Sequence, residues 1–186
     1  MLIGIFGGSF NPIHNGHLAI AKQVLGRTKL NEIWFLVSPH NPLKKHDELM
    51  NDDLRLAMTQ KALENEEGMK CSDYEFHLPR PSYMWNTLQS LNKDYPNDTF
   101  CLIIGADNWV DFHKWYNYKE ILANYNIIIY PRKGFPIDKD NLPSNVSFVD
   151  MDLYNISSTE IRRMIENHED ISALTPKAVG DMLLKA

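Results

Sequence analysis

Two histidines three residues apart, His14 and His17, follow a run of small residues in 2-LIGIFGGSFNPIHNGHLAIA-21. A neutral imidazole donates a directed hydrogen bond without a full charge. A helix opening near Asn15 or Gly16 would add free backbone amides and the positive end of its dipole at the same place. That combination favours an anion, and a polyphosphate suits it best. Gly7 and Gly8 end the preceding apolar run, where small residues let the main chain approach a ligand closely. The glycines lack the Gly-x-Gly-x-x-Gly spacing of redox dinucleotide folds, and no Gly-Lys-Ser/Thr of a P-loop follows them. Taken alone, such a pair of histidines reads as one helix cap and one solvated ring. Zinc would require a third ligand that no nearby spacing supplies.

The far end of the chain changes that reading. In 156-ISSTEIRR-163, Ser157 and Glu160 fit a capping box, so Ser157, Ser158 and Thr159 crowd hydroxyls and free amides around a second helix start. Arg162 follows in that first turn and can bind phosphate with two donors at once. A helix needs one cap, and three hydroxyls in a row exceed that need. Two anion sites on one chain imply one triphosphate.

The elements that must position these residues are legible from hydrophobic patterning. Runs at 2–6, 32–37, 100–104, 126–130 and 146–150 have the length and composition of buried strands. Segments 17–26, 52–65 and 82–93 have helical spacing, the last two opening on Asp52 and Ser82 as candidate caps. In the first helix Leu18, Ala21 and Leu25 are expected to face the core. Alternation of strand and helix predicts an α/β fold, a Rossmann-like doubly wound parallel sheet with helices on both faces and ligands beyond the carboxyl ends of the strands. Residues 131–143 carry three prolines and read as a long surface loop, and helices at 157–168 and 176–185 form a small C-terminal helical part. At 186 residues, one domain spanning 1–186 is expected.

Bulk properties narrow the partners. Apolar content is 44% with 23% charged residues, and no apolar run approaches the roughly 20 residues of a membrane span. No secretory signal is visible at the start, so a cytoplasmic location is expected. A net charge of -5 gives no broad basic field for nucleic acid. Cys71 and Cys101 are too few for a disulfide framework or a zinc site, and Cys101 reads as a buried thiol. The oligomeric state is open, a homo-oligomer included.

The stretches Gly-Gly-Ser-Phe-Asn-Pro-x-His-x-Gly-His at 7–17 and Ile-Ser-Ser-Thr-x-Ile-Arg at 156–162 resemble the signatures of the nucleotidyltransferase superfamily that shares its His-x-Gly-His with class I aminoacyl-tRNA synthetases. The whole chain resembles the bacterial nicotinate-nucleotide adenylyltransferase family. The supporting segments 38-SPHNPLKK-45, 82-SYMWNTL-88, 105-GADNWVDFHKW-115 and 131-PRKG-134 stand in that family's order. The resemblance implies transfer of AMP from ATP to nicotinate mononucleotide in NAD biosynthesis, giving deamido-NAD and pyrophosphate, with Mg2+ bound through the substrate phosphates. It implies catalytic roles for His14, His17 and Arg162, and ATP binding by Gly7, Gly8, Ser9, Phe10, Gly105, Asp107, Ser157, Ser158 and Thr159. Asp107 also reads as a helix cap. A dilysine is ordinarily a solvated face, but the family carries a phosphate-reaching basic residue in this loop, and the resemblance leaves Lys44 and Lys45 as the two candidates for it in ATP binding.

The segment 109–118 holds five aromatic residues in ten positions, more than one buried face needs. The resemblance makes Trp115 the ring that stacks on the nicotinate, with Tyr83 beside it and Arg132 reaching the nucleotide. Met84 stands where the family usually has Thr, which removes a hydroxyl from the pyridine side, and Asn11 stands where Asp is frequent. The rival enzyme is pantetheine-phosphate adenylyltransferase, which has the same phosphate motifs but lacks the aromatic segment and usually has Thr at the position of His14. A nucleotide-binding sensor without catalysis is the rival of another class, and for it at least one of His14, His17 or Arg162 should be missing.

Overall fold

The computed structural model describes residues 1–39 and 49–185. Its frame is a six-stranded, all-parallel sheet in the order β3-β2-β1-β4-β5-β6. The strands are β1 (Leu2–Gly8), β2 (Glu32–Val37), β3 (Met69–Ser72), β4 (Thr99–Gly105), β5 (Asn126–Tyr130) and β6 (Val146–Phe148). The helices are α1 (Asn15–Arg27), α2 (Asp52–Leu63), α3 (Met84–Asp94), α4 (Ala106–Val110), α5 (Tyr118–Asn124), α6 (Ser158–Glu166) and α7 (Lys177–Leu183).

Strand side chains alternate between two separate cores, as the pleat requires. Phe6, Ile33, Phe35, Ile103 and Ile128 pack beneath α1, α2, α6 and α7. Ile5, Leu36, Leu102, Ile127 and Ile129 pack beneath α3, α4 and α5. Burial on both sides explains why these strands read as continuous apolar runs. The chain leaves β1 toward the first layer and β4 toward the second. A crevice therefore opens between the carboxyl ends of these paired strands, at the point where the strand order reverses. Among the described residues no helix is long and apolar enough to cross a membrane.

Several local expectations are corrected. β3 was not anticipated, because four residues including Lys70 and Ser72 on a sheet edge carry little apolar pattern. Nor were α4 and α5, because aromatic crowding there masks the helical period. Asn51, not Asp52, caps α2, accepting from the amides of Asp53 and Leu54. The N-cap of α3 is Tyr83, not Ser82. In α1, Ile20 and Val24 share the buried face with Leu18 and Ala21, whereas Leu25 is only partly covered. Strand β6 ends at Phe148, and the loop after β5 contains a bridge between Arg132 and Phe135 and a single helical turn, Lys139–Asn141. Cys101 is buried, as its apolar run suggested.

Candidate active site

A cavity of about 540 Å³ lies at the end of β1, with the N-termini of α1 and α6 on its walls. His14 is the N-cap of α1 and is 3% exposed. Its ring stacks on that of His17 at 3.7 Å with an interplanar angle of 22°. The His14 backbone N–H donates to Nδ1 of His17 at 3.2 Å. That bond makes Nδ1 the acceptor, so in the neutral ring the proton sits on Nε2 of His17. Burial, reinforced by the nearby positive charge of Arg132, lowers the His14 pKa to about 4, so its imidazole is neutral near pH 7. Nδ1 of His14 is buried with no hydrogen-bond partner among the described residues.

The glycine between the histidines has a steric reason. A Cβ at Gly16 would lie 3.0 Å from Nδ1 of His14, so the buried ring would have to give by a few tenths of an ångström, and 3.4 Å from Cβ of Ile156, an ordinary contact. The turn before it holds Phe10 at φ 43°, a left-handed conformation costly for a bulky residue. Edge contacts of its ring with Phe6 at 5.8 Å and His17 at 5.1 Å keep it there.

The start of α6 is tied to this turn across most of the chain. The Ser158 hydroxyl donates to the Pro12 carbonyl at 2.9 Å, and Nη1 of Arg162 donates to the Asn11 carbonyl at 2.9 Å. Nη2 of Arg162 donates to Oγ1 of Thr159 at 3.4 Å, and Oγ of Ser157 caps the helix by accepting from the Glu160 amide at 3.1 Å. The three hydroxyls thus do more than cap: one closes the helix, one fastens it to the β1–α1 turn and one steadies the arginine. On the other side the Asn15 amide donates to the Leu174 carbonyl at 2.9 Å. Two helix starts from opposite ends of the sequence therefore meet at one cavity.

Arg55 is a residue that motif reading missed. It is fully buried on α2, and its guanidinium donates to the carbonyls of Ser9, Ser38 at 2.9 Å and Met50 at 3.1 Å, while pairing with Asp52. One side chain thereby joins the β1–α1 turn to the end of β2. The signal was present: Arg55 occupies a core position of a stripe that continues through Met58, Thr59 and Ala62.

Gly7 and Gly8 also line a second cavity of about 320 Å³, walled by Tyr83, Met84, Trp115 and Tyr116. Trp115 packs on the buried Phe112 at 5.5 Å, and the Tyr83 and Tyr116 rings lie 5.0 Å apart. Of the crowded aromatics, Phe112 is core and Tyr116 is exposed. Nε1 of Trp115 and Oγ of Ser82 are buried without hydrogen-bond partners among the described residues. Glu75 and Asn108, unflagged in the sequence, share this lining.

A third cavity, about 200 Å³, is bordered by Asp107 and Arg132. Nε of Arg132 lies 3.5 Å from Oδ1 of Asp107. A Cβ at Gly105 would come within 2.4 Å of that oxygen, so the end of β4 must be glycine for the carboxylate to fold over it. Gly105, not Asp107, is the N-cap of α4. Arg132, grouped with Tyr83 and Trp115 in the sequence, lines this cavity and the histidine cavity rather than theirs. Lys44 and Lys45 lie outside the described residues.

Residues 5–164 match the family model described as cytidylyltransferase-like. The chain is 47% identical over 182 residues to a probable nicotinate-nucleotide adenylyltransferase of Bacteroides fragilis, covering 98% of this chain and 90% of the relative. To the corresponding protein of Flavobacterium johnsoniae it is 43% identical over 185 residues, covering 98% and 96%. In structure it resembles a Plasmodium falciparum nicotinic acid mononucleotide adenylyltransferase complexed with NaAD, with TM-score 0.85, 23% identity, and 99% and 95% of the two chains covered. At that identity the likeness is one of fold.

Proposed function

The chain belongs to the cytidylyltransferase-like family, and from that premise we propose that it moves AMP from ATP to nicotinate mononucleotide, giving deamido-NAD and pyrophosphate. The observation that carries this reading is the meeting of the α1 and α6 starts at one cavity, which shares Gly7 and Gly8 in its lining with an aromatic cavity. Such a layout suits a triphosphate on one side and a ring-bearing mononucleotide on the other.

In this reading the attacking group is a phosphate oxygen of the mononucleotide, already anionic near neutral pH because its second pKa is about 6. It forms a bond to the α-phosphorus of ATP as the bond to the bridging oxygen breaks, and the electron pair leaves with pyrophosphate. No base is required. The work of the protein is alignment and stabilisation of charge gathering on the α-phosphate and the leaving group. Nε2 of His17 supplies a directed donor, the His14 imidazole a second, and Arg162 with the α6 amides holds the far end of the triphosphate. Fastening to Asn11 and Thr159 keeps Arg162 in place before substrate arrives. Asp107 is suited to accept from ribose hydroxyls.

The lining of the phosphate cavity is rich in N–H and O–H donors, which fits Mg2+ carried on the substrate's own oxygens. When bound, that ion neutralises phosphate charge. The substrates are those of the cytoplasm, where we propose the enzyme works.

The test is pyrophosphate release from ATP with nicotinate mononucleotide, nicotinamide mononucleotide and phosphopantetheine offered in turn. Turnover with the first is expected. Release only with phosphopantetheine would move the chain to the rival enzyme, and silence with all three would leave a nucleotide-binding protein without catalysis.

A further inference from the structure

The aromatic cavity contains a buried carboxyl that the reaction above leaves unused. Glu75 sits on the single helical turn Tyr74–His77, is 3% exposed, and lines the cavity beside Ser82 and Tyr83. Its carboxyl is held from two elements: the Thr87 hydroxyl on α3 donates to Oε1 at 2.8 Å, and the Ser38 hydroxyl at the end of β2 donates as well. Oγ of Ser82, 8% exposed, lies on the same wall without a hydrogen-bond partner among the described residues.

The charges around Glu75 are accounted for on each side. On its own turn the Tyr74 phenol donates to Asp94 at 2.6 Å, and His77 pairs with Asp73 at 3.3 Å in the open. Behind Ser38 stands Arg55, spent on carbonyls and Asp52. Across the cavity Lys114 is paired with Asp111. Burial therefore dominates and pushes the Glu75 carboxyl above its ordinary range, against the opposing pull of the two hydroxyls.

Two charged carboxylates do not share a small desolvated space, and the usual resolution is that one of them carries a proton. A protonated carboxyl also becomes a donor, able to hold the partner it would otherwise repel. We propose that Glu75 is a specificity-determining residue of this cavity, its carboxyl discriminating between acceptors with an anionic ring carboxylate and acceptors with a neutral carboxamide. This rests on the reading of the cavity as the seat of the acceptor's pyridine. Binding of the acid brings a proton from solvent onto Glu75, and binding of the amide does not. As pH rises and Glu75 ionises, the acid loses ground to the amide. The 5′-phosphate is common to both and cancels in their ratio.

The experiment compares kcat/KM for nicotinate and nicotinamide mononucleotides on the full chain between about pH 6 and about pH 9. The acid-to-amide ratio is expected to fall by about tenfold or more in the unmodified protein and to stay flat in Glu75→Gln, which keeps the shape without the charge. A flat ratio in the unmodified protein, or an equal fall in Glu75→Gln, overturns the inference. Should Glu75→Gln fail to fold, calorimetry of the unmodified protein in two buffers of different ionisation enthalpy decides. Greater proton uptake with the acid than with the amide supports the inference, and equal uptake overturns it. Turnover of neither mononucleotide refutes the acceptor assignment itself, and the inference falls with it.

Discussion

The two cavities that meet at Gly7 and Gly8 are built on opposite plans. In the histidine cavity most polar groups already have protein partners, Nδ1 of His14 excepted: His17 accepts from the His14 amide, and Ser158 and Arg162 donate to the carbonyls of Pro12 and Asn11. In the aromatic cavity the walls are rings, and Nε1 of Trp115 and Oγ of Ser82 are buried without partners among the described residues. Phosphate is the same in every nucleotide, so a rigid, prefastened set of donors serves it well. A ring substituent must be told apart from its near relatives, and groups left unsatisfied until the right ligand arrives give that selectivity.

The contrast predicts where damage should appear. His17→Ala should retain the fold and lose on the order of 10²-fold or more in kcat/KM, since it removes a preorganised donor. Near-normal turnover of a purified, folded sample would remove the histidine cavity from the chemistry. His14 gives a stability test. Its folded pKa of about 4 lies below the ordinary 6.5, so between those values the unfolded chain binds the proton first. The contribution is fully present above about pH 6.5 and lost as pH falls toward 4, amounting to ~3 kcal/mol. Urea midpoints of His14→Gln should therefore decline less over that interval than those of the unmodified protein. A parallel decline would show that His14 is not held neutral by its surroundings.

Trp115→Ala should raise KM for the mononucleotide by about tenfold and leave KM for ATP nearly unchanged, in keeping with ~0.5–1.5 kcal/mol for ring stacking beyond lost area. Equal shifts in both constants would mean that the cavities do not act separately. Met84→Thr, which restores a hydroxyl at the start of α3, should change the acid-to-amide ratio by only a few-fold, about the worth of one neutral hydrogen bond. A larger change would give that position a greater share of ring recognition than Glu75.

The same contrast governs what could be read before any coordinates. The pair His14 and His17 and the pair Ser157 and Arg162 announce themselves because each half of the proposed phosphate site is local: a helix start with donors at short spacing, adjacent within its own stretch of sequence. β1, β2, β4 and β5 were legible because burial on both faces leaves uninterrupted apolar runs, and the short edge strand β6 lies within the run 146–150. β3 was not, since a four-residue edge strand needs little apolar surface. Glu75 and Ser82 stayed hidden because their significance lies in burial, and burial depends on β2, α3 and the aromatic segment folding around them. The position of Arg132 away from Tyr83 and Trp115 was hidden for a related reason. The loop after β5 carries it toward Asp107, and nothing in its neighbouring residues encodes that direction.

The fastening of Ser158 and Arg162 to Pro12 and Asn11 spans 146 and 151 positions of sequence. During synthesis, every strand, ending with Phe148, emerges from the ribosome before either clasp exists. In the proposed reading the grip on the triphosphate thus forms only after all the described strands have been made, so that competence arrives in one late step rather than by degrees.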